Sequence, residues 1–316
     1  MNIHQLRYAL ALKKYGNYSR AAKALNISQP AISLQIKNLE TELGTLLFDR
    51  SQKPIGTTFA GEKFLNKAQE LIGQFHQLES FAMTLRDDYS GAITIGIIPT
   101  LAPYLIPLFI GDIKDKYPKL QITIKEIITE QILVALRDGD IQLGIISTPI
   151  ESTMKFDIKP IFYEKFQLFI SDSHDLSRQF EVDIEDIDAD DLWLLKEGNC
   201  FRDQVNNLCG YKKANTHNHT FSYESNSIEA LCRIVEHQGG LTFVPELCTI
   251  HLDDDRLDLL KDISGHDRVR EISLISIPNE SRYRFIEKIN DSLQSNIPTH
   301  RLHNAKGEVI KIEESK

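Results

Sequence analysis

The sequence predicts an α+β chain of several domains: a small basic helical head with a hairpin wing, a long connecting helix, and a larger α/β body of two linked subdomains. Three observations lead there. Residues 1–60 hold eight Lys/Arg against three Asp/Glu, a net +5 in a chain whose total is −9, which leaves −14 for the remainder. Up to about residue 85, apolar side chains recur three and four apart, the helical spacing. Beyond residue 90, β-branched runs alternate with helical segments, the pattern of a mostly parallel sheet covered by helices. The 316 residues suffice for two or three domains with separate cores.

In the head, Ser19 is placed to cap a helix reading RAAKALN, and Ser28 to cap the next. Pro30 falls in that second helix's first turn, where its missing N–H costs nothing. Ile32, Ile36, Leu39, Leu43 and Leu46 form one apolar stripe, while Gln29, Ser33 and Lys37 recur on another face beside Pro30. Short polar side chains in line at the start of the second helix of a tight helix-turn-helix suit reading base edges in a major groove. The competing reading is an ordinary solvated face. The basic surroundings favour double-stranded DNA, although the acidic total argues against indiscriminate nucleic-acid binding. Pro54 and Gly56 mark a wing, with Arg50 at its base positioned for phosphate or a minor groove, and Thr58 caps the helix that follows. That helix, about 58–88, carries Leu65, Ala68, Ile72, Phe75, Leu78, Ala82 and Leu85 at near-heptad spacing. Such a stripe suits pairing of two copies, or packing against its own body.

In the body, GAITIGIIPT (91–100), LQITIKEII (120–128), IQLGIIST (141–148), KFQLFIS (165–171), DLWLLK (191–196), HTFSYE (219–224), LTFVPEL (241–247) and REISLISI (270–277) read as strands. LAPYLIPLFIGDIKDKYP, EQILVALRDGD, SIEALCRIVEHQ and SRYRFIEKINDSLQSNI read as helices. The expected division is 1–60 for the head, 61–88 for the connecting helix, 89–163 with 269–300 for one subdomain, 164–268 for the other, and 301–316 for a frayed tail. Thr100 and Thr129 each follow a strand, at the rim where ligands gather in open α/β sheets; helix capping is the equal alternative. No apolar run approaches the roughly 18 residues of a membrane span. The first residues lack the pattern of a signal peptide, so a cytoplasmic protein with reduced cysteines is expected.

Two of the four cysteines, Cys200 and Cys209, lie in the polar stretch LKEGNCFRDQVNNLCGYKK. Four readings compete. Burial as small apolar residues suits Cys232 and Cys248 better than Cys200, which Asn199 and Arg202 flank. A metal site would draw on His217 and His219, but structural zinc favours closer cysteine spacing than the eight intervening residues here. A cysteine hydrolase would need an orienting His–Asn or His–Asp pair that the sequence does not locate. A redox switch asks for a low-pKa thiol, at a helix start beside Arg202, and a second thiol that arrives by rearrangement. If the stretch is helical when reduced, nine residues separate the Cα atoms by roughly 13 Å, against less than about 7 Å for a disulfide.

Residues 1–65 resemble the winged helix-turn-helix of LysR-type transcriptional regulators through AAKALNISQPAISLQIKNLETELGTLLFDR and the TFAG at 58–61, with Thr57 departing from the usual apolar residue. The resemblance implies a two-subdomain, periplasmic-binding-protein-like effector domain. It narrows at LLKEGNCFRDQVNNLC, TIGIIPTLAPYLIP and QGGLTFVPEL, which are similar to OxyR-type hydrogen-peroxide sensors, over essentially residues 1–300. That subfamily implies Cys200 as peroxidatic and Cys209 as resolving cysteine, with Thr100, Thr129 and Arg270 positioning the peroxide. Asn199 stands where many members carry histidine, so it donates a hydrogen bond but carries no charge. The resemblance also implies a homodimer or homotetramer that controls peroxide-defence genes, with RNA polymerase and a cellular thiol reductant as partners; whether it activates or represses is left open. No cofactor, no metal and no enzymatic turnover are expected. The alternatives are a LysR regulator sensing a small metabolite in the cleft, and a thiol peroxidase.

Overall fold

The computed structural model describes residues 1–84, 90–210, 223–265, 268–278, 280, 282–297 and 308–310. The first of its two compact units is the head with its connecting helix. Helices α1 (Ile3–Tyr15), α2 (Tyr18–Ala24) and α3 (Gln29–Leu43) precede wing strands β1 (Phe48–Asp49) and β2 (Gly56–Thr57), which pair antiparallel before α4 (Phe59–Thr84). Leu6, Leu12, Ala21, Ile32, Ile36 and Leu39 form the shared core with Leu47 and Leu65.

Local chemistry sets the helix ends. Asn17, rather than Ser19, caps α2: its side chain accepts the Ser19 and Arg20 amides, and Ser19 lies inside the first turn. Asn caps as well as Ser, and Asn17 holds the extended backbone that a cap requires. Ser28 caps α3 as expected by accepting the Ala31 amide, and Thr58 Oγ1 accepts the Gly61 amide at the start of α4. Gly44, left-handed at φ 65°, stops α3. Leu46 therefore falls beyond the helix and is 62% exposed, outside the expected stripe.

The stripe on α4 also divides. Leu65, Ala68 and Ile72 are buried in the head's own core, against α1, so they are not free to pair two copies. Phe75 lies under the Arg7 guanidinium, 5.6 Å from ring centroid to carbon. Leu78 and Ala82 are exposed, and Leu85 lies outside the described residues.

The second unit is the α/β body. It begins β3 (Gly91–Ile97), α5 (Ala102–Lys116), β4 (Leu120–Glu126), α6 (Thr129–Asp138), β5 (Leu143–Thr148) and β6 (Asp157–Ile170). Next come β7 (Glu181–Val182), β8 (Leu192–Trp193), α7 (Cys200–Cys209), α8 (Ile228–Gln238), β9 (Leu241–Pro245), α9 (Asp254–Leu257) and β10 (Leu260–Ile263). It closes with β11 (Arg268–Ser276), α10 (Tyr283–Asn296) and β12 (Glu308–Val309). Strand β3 pairs parallel with β4 and β5, as the alternating pattern predicts. However, β11 and β6 run antiparallel through the middle, so the sheet is mixed rather than mostly parallel. Long β6 joins two cores: its residues 157–165 pair with β11, and 166–170 pair with β9. One core contains Ile95, Phe109, Ile145 and Ile272; the other contains Phe169, Val205, Leu231 and Phe243.

Two expectations need correction here. DLWLLK forms a strand only at Leu192–Trp193. Of HTFSYE, residues 219–222 lie outside the described residues and 223–224 have no regular structure. In the expected frayed tail, residues 308–309 instead form a strand parallel to β11, and the Ile310 amide donates to the Val269 carbonyl at 3.0 Å. Pairing with a central strand and burial of Ile310 hold this piece in place. Residues 301–307 and 311–316 lie outside the described residues.

Glu40 joins α3 to the wing. Buried at 5% exposure, its Oε1 accepts the Leu47 and Phe48 amides (2.8 and 3.2 Å), and its Oε2 pairs with Arg50 Nη2 at 2.6 Å. Removing the carboxylate strands two buried N–H groups, each costing on the order of 1–3 kcal/mol. Glu40→Ala should therefore accelerate hydrogen exchange of the Leu47 and Phe48 amides tenfold or more, and Arg50→Ala should do so far less. Equal protection in Glu40→Ala and native protein would remove this role.

Candidate functional site

Two groups of the singled-out residues fall at separate places. On the head, Gln29, Pro30 and Lys37 are exposed and Ser33 half-buried along α3. Arg50, at the wing base, keeps 46% of its side chain exposed but spends one guanidinium nitrogen on buried Glu40. Leu34, 57% exposed on α3, is an apolar neighbour of the polar row that the periodicity did not mark.

In the body, the chain turns at Gly198 (φ 81°) into α7. Asn199 caps that helix, its Oδ1 accepting the Phe201 amide at 3.0 Å. This places Cys200 on the first helical residue, 6% exposed, and Cys209 on the last, half-buried. None of the four cysteines is in a disulfide. Cys200 packs with the first core, whereas Phe201, Val205, Leu208 and Cys209 pack with the second.

Arg270, whose charge acts on Cys200, and Glu164 are both 0% exposed. Arg270 Nε donates to Glu164 Oε1 at 2.7 Å, and its Nη1 donates to Thr100 Oγ1 at 3.1 Å. Glu164 Oε2 accepts the Leu247 amide at 2.8 Å. The Phe201 ring covers the guanidinium at 5.0 Å and stacks on Phe166 at 5.4 Å. Arg270 Nη2 lies 2.6 Å from the same Glu164 Oε1, completing the ion pair.

Burial pushes the Cys200 thiol up from its ordinary value; the Thr129 hydroxyl, Arg270 and the Phe201 amide pull it back, and Asp203 opposes them. The low-pKa thiol expected of a redox switch is thus not what this buried setting produces. The cation that favours the thiolate is Arg270, not Arg202, which donates to the Leu195 carbonyl at 2.9 Å. Asn199 Nδ2 is buried without a hydrogen bond, the buried Thr129 hydroxyl acts on the Cys200 thiol, and Arg270 Nη2 has only its ion pair with Glu164. Buried polar groups are normally satisfied, so the unpartnered Asn199 amide calls for an explanation. Thr100 does not cap a helix; its hydroxyl belongs to Arg270.

Burial also drives the other thiols up, Cys209 and Cys232 to about 12 and Cys248 well above its ordinary value. Among the described residues, no group of three His, Cys, Asp or Glu could hold a metal ion; His217 and His219 lie outside them. Among those residues, too, no helix is long and apolar enough to cross a membrane. The sequence reading missed Glu164, Phe201 and Gln204. Glu164 had a signal: with Phe162, Phe166 and Leu168 it occupies the inward phase of β6. Gln204 had one as well, a polar residue on the buried face of α7.

Comparison with known proteins agrees with this architecture. Residues 3–62 match the bacterial regulatory helix-turn-helix model of the lysR family, and residues 86–283 match the LysR substrate binding domain. A hydrogen peroxide-inducible genes activator of Haemophilus influenzae is 32% identical over 251 residues, 79% of this chain and 82% of that protein. The DNA-binding transcriptional dual regulator OxyR of Escherichia coli is 32% identical over 247 residues, 78% of this chain and 80% of that protein. A full-length OxyR variant from Pseudomonas aeruginosa superposes with a TM-score of 0.70 at 28% identity, covering 93% of this chain and 98% of that one. A peroxide-bound OxyR variant from Corynebacterium glutamicum gives 0.59 at 28% identity, covering 93% and 92%. The chain belongs to the LysR family of transcriptional regulators and, within it, to the OxyR type.

Proposed function

We propose that this regulator senses hydrogen peroxide by oxidising Cys200 and trapping the product as a Cys200–Cys209 disulfide. The observation that carries the reading is α7 itself, a capped helix with one thiol at each end. At about 1.5 Å rise per residue the ends stand roughly 13 Å apart, so the bond forms only if the helix opens. The polar groups beside Cys200, the Thr129 hydroxyl, the Asn199 amide and the Arg270 guanidinium, support the first step. Cys200 sulfur attacks one peroxide oxygen, the O–O bond breaks, and the sulfenic acid forms; the departing hydroxide leaves as water with the thiol proton. In this reading Thr129 and Arg270 stabilise that departing oxygen, with Thr100 steadying Arg270 and Asn199 offering a neutral N–H. Cys209 then attacks the sulfenic sulfur, the S–O bond breaks, and a second water leaves. A cellular thiol reductant reverses the disulfide.

Opening α7 also draws Phe201 off the Arg270 guanidinium, which disturbs both cores at once. In this reading a dimer or tetramer answers by reseating its heads on DNA, activating peroxide-defence genes together with RNA polymerase in the cytoplasm. The protein is a stoichiometric sensor without cofactor or turnover.

Cys200→Ser should abolish the peroxide response, and Cys209→Ser should stop at the sulfenic acid or over-oxidise. Non-reducing peptide mapping after brief exposure to micromolar-range peroxide checks both, and bonding of Cys232 or Cys248 instead would refute the assignment. On the head, Gln29→Ala should relax base preference, a bidentate adenine contact being worth about 1–3 kcal/mol of discrimination. Arg50→Ala should weaken binding to all sequences and flatten its salt dependence. Titrations in which both variants lose specificity equally would contradict this division.

A further inference from the structure

Between the two thiols, α7 carries Gln204, a side chain with 0% exposure. Its Nε2 donates to Ser147 Oγ on β5 at 3.1 Å and to the Ile310 carbonyl at 3.3 Å. Ser147 Oγ returns a longer contact to Oε1 at 3.4 Å. Ile310, 7% exposed, packs in the same core as Phe201, Val205 and Leu208. Its own amide is held by the Val269 carbonyl, immediately before Arg270. One buried amide therefore fastens the switch helix to β5 on one side and to the C-terminal strand on the other.

We propose that Gln204 and β12 with Ile310 form a clamp that holds α7 helical and so sets how readily Cys209 reaches Cys200. Gln204 is a positioning residue, since its side-chain bonds go to Ser147 and the Ile310 carbonyl rather than to a thiol. The inference rests on the disulfide reading above. In the resolving step, the Cys209 sulfur displaces hydroxide from the Cys200 sulfenic acid, forming S–S, breaking S–O and releasing water. Reaching that geometry opens α7 and withdraws Gln204 from both partners. The clamp bonds exist only in the closed helix, so they oppose this step and stabilise the dithiol over the disulfide. They do not act on the first oxidation, which happens with α7 closed. Removing a buried hydrogen-bonded amide strands its partners, which suffices for a tenfold effect.

The test uses the full chain with Gln204→Leu, and separately with Ile310→Pro, which removes the amide that pins the strand. Rapid mixing with hydrogen peroxide follows sulfenic acid formation and then disulfide formation; equilibration against a dithiothreitol buffer gives the redox poise. Both variants should keep the native rate of Cys200 oxidation within about twofold. Both should form the disulfide about tenfold faster, with a dithiol–disulfide equilibrium shifted tenfold toward disulfide, equal to about 30 mV more negative. The double variant should exceed the larger single effect by little, because the two changes break one contact. In reduced protein, hydrogen exchange of the α7 amides should rise in both. Native resolution kinetics and poise in the variants, slower resolution, or full additivity would overturn the clamp while leaving the disulfide reading intact. A native chain that forms no Cys200–Cys209 disulfide would overturn both. In that case, unchanged α7 exchange in the variants would show separately that Gln204 does not hold the helix.

Discussion

Ten residues of helix keep two thiols apart, and the rest of the body serves that separation. Asn199 starts α7 by capping it, and Gly210, left-handed at φ 67°, ends it. Between the caps, Phe201, Val205 and Leu208 seat the helix in one core, while Cys200 alone faces the other. An isolated helix of this length is marginal in water, so packing, not propensity, holds it closed. That makes α7 suited to two states: the contacts that close it are few, and each can be named.

The Arg270–Glu164 pair is the costly part of the arrangement. Burying both charges forfeits several kcal/mol of hydration per ion, which their attraction often fails to recover, so the pair is not explained by stability. What it gives is a fixed cation: Glu164 locks the guanidinium, Thr100 steadies its far end, and Phe201 covers its face. Because Phe201 follows Cys200 directly, chemistry at the thiol and the placement of Arg270 share one backbone segment. Burial raises the Cys200 thiol while Thr129 and Arg270 lower it, so desolvation wins in the closed state.

Much of this was legible in the sequence, for identifiable reasons. The helix-turn-helix periodicity placed Ile32, Ile36 and Leu39 in the core and Gln29, Ser33 and Lys37 on the other side, because α3 is long and its stripe regular. The β-branched runs marked β3, β4, β5 and β9 within two or three residues. Where reading failed, two similar residues competed or a distant partner decided. Asn17 beat Ser19 at a cap, and Gly44 cut the stripe before Leu46. The Leu65–Ala68–Ile72 stripe fits a second copy and its own head equally well on spacing alone; only the fold places α1 against it. Arg202 stood beside Cys200 in sequence, but the cation on the thiol, Arg270, comes from a strand about 70 residues away. Glu164 and Gln204 carried a weaker signal, polar groups on the inward phase of their elements, which gains meaning only once their partners are known.

The account turns on α7 being closed when reduced and open when oxidised. Hydrogen exchange across residues 201–208, measured on reduced protein and on protein treated with stoichiometric hydrogen peroxide, tests it most directly. The account predicts protected amides in the reduced chain and loss of that protection together with a Cys200–Cys209 bond. A peroxide-formed bond between these cysteines with α7 still protected would contradict it.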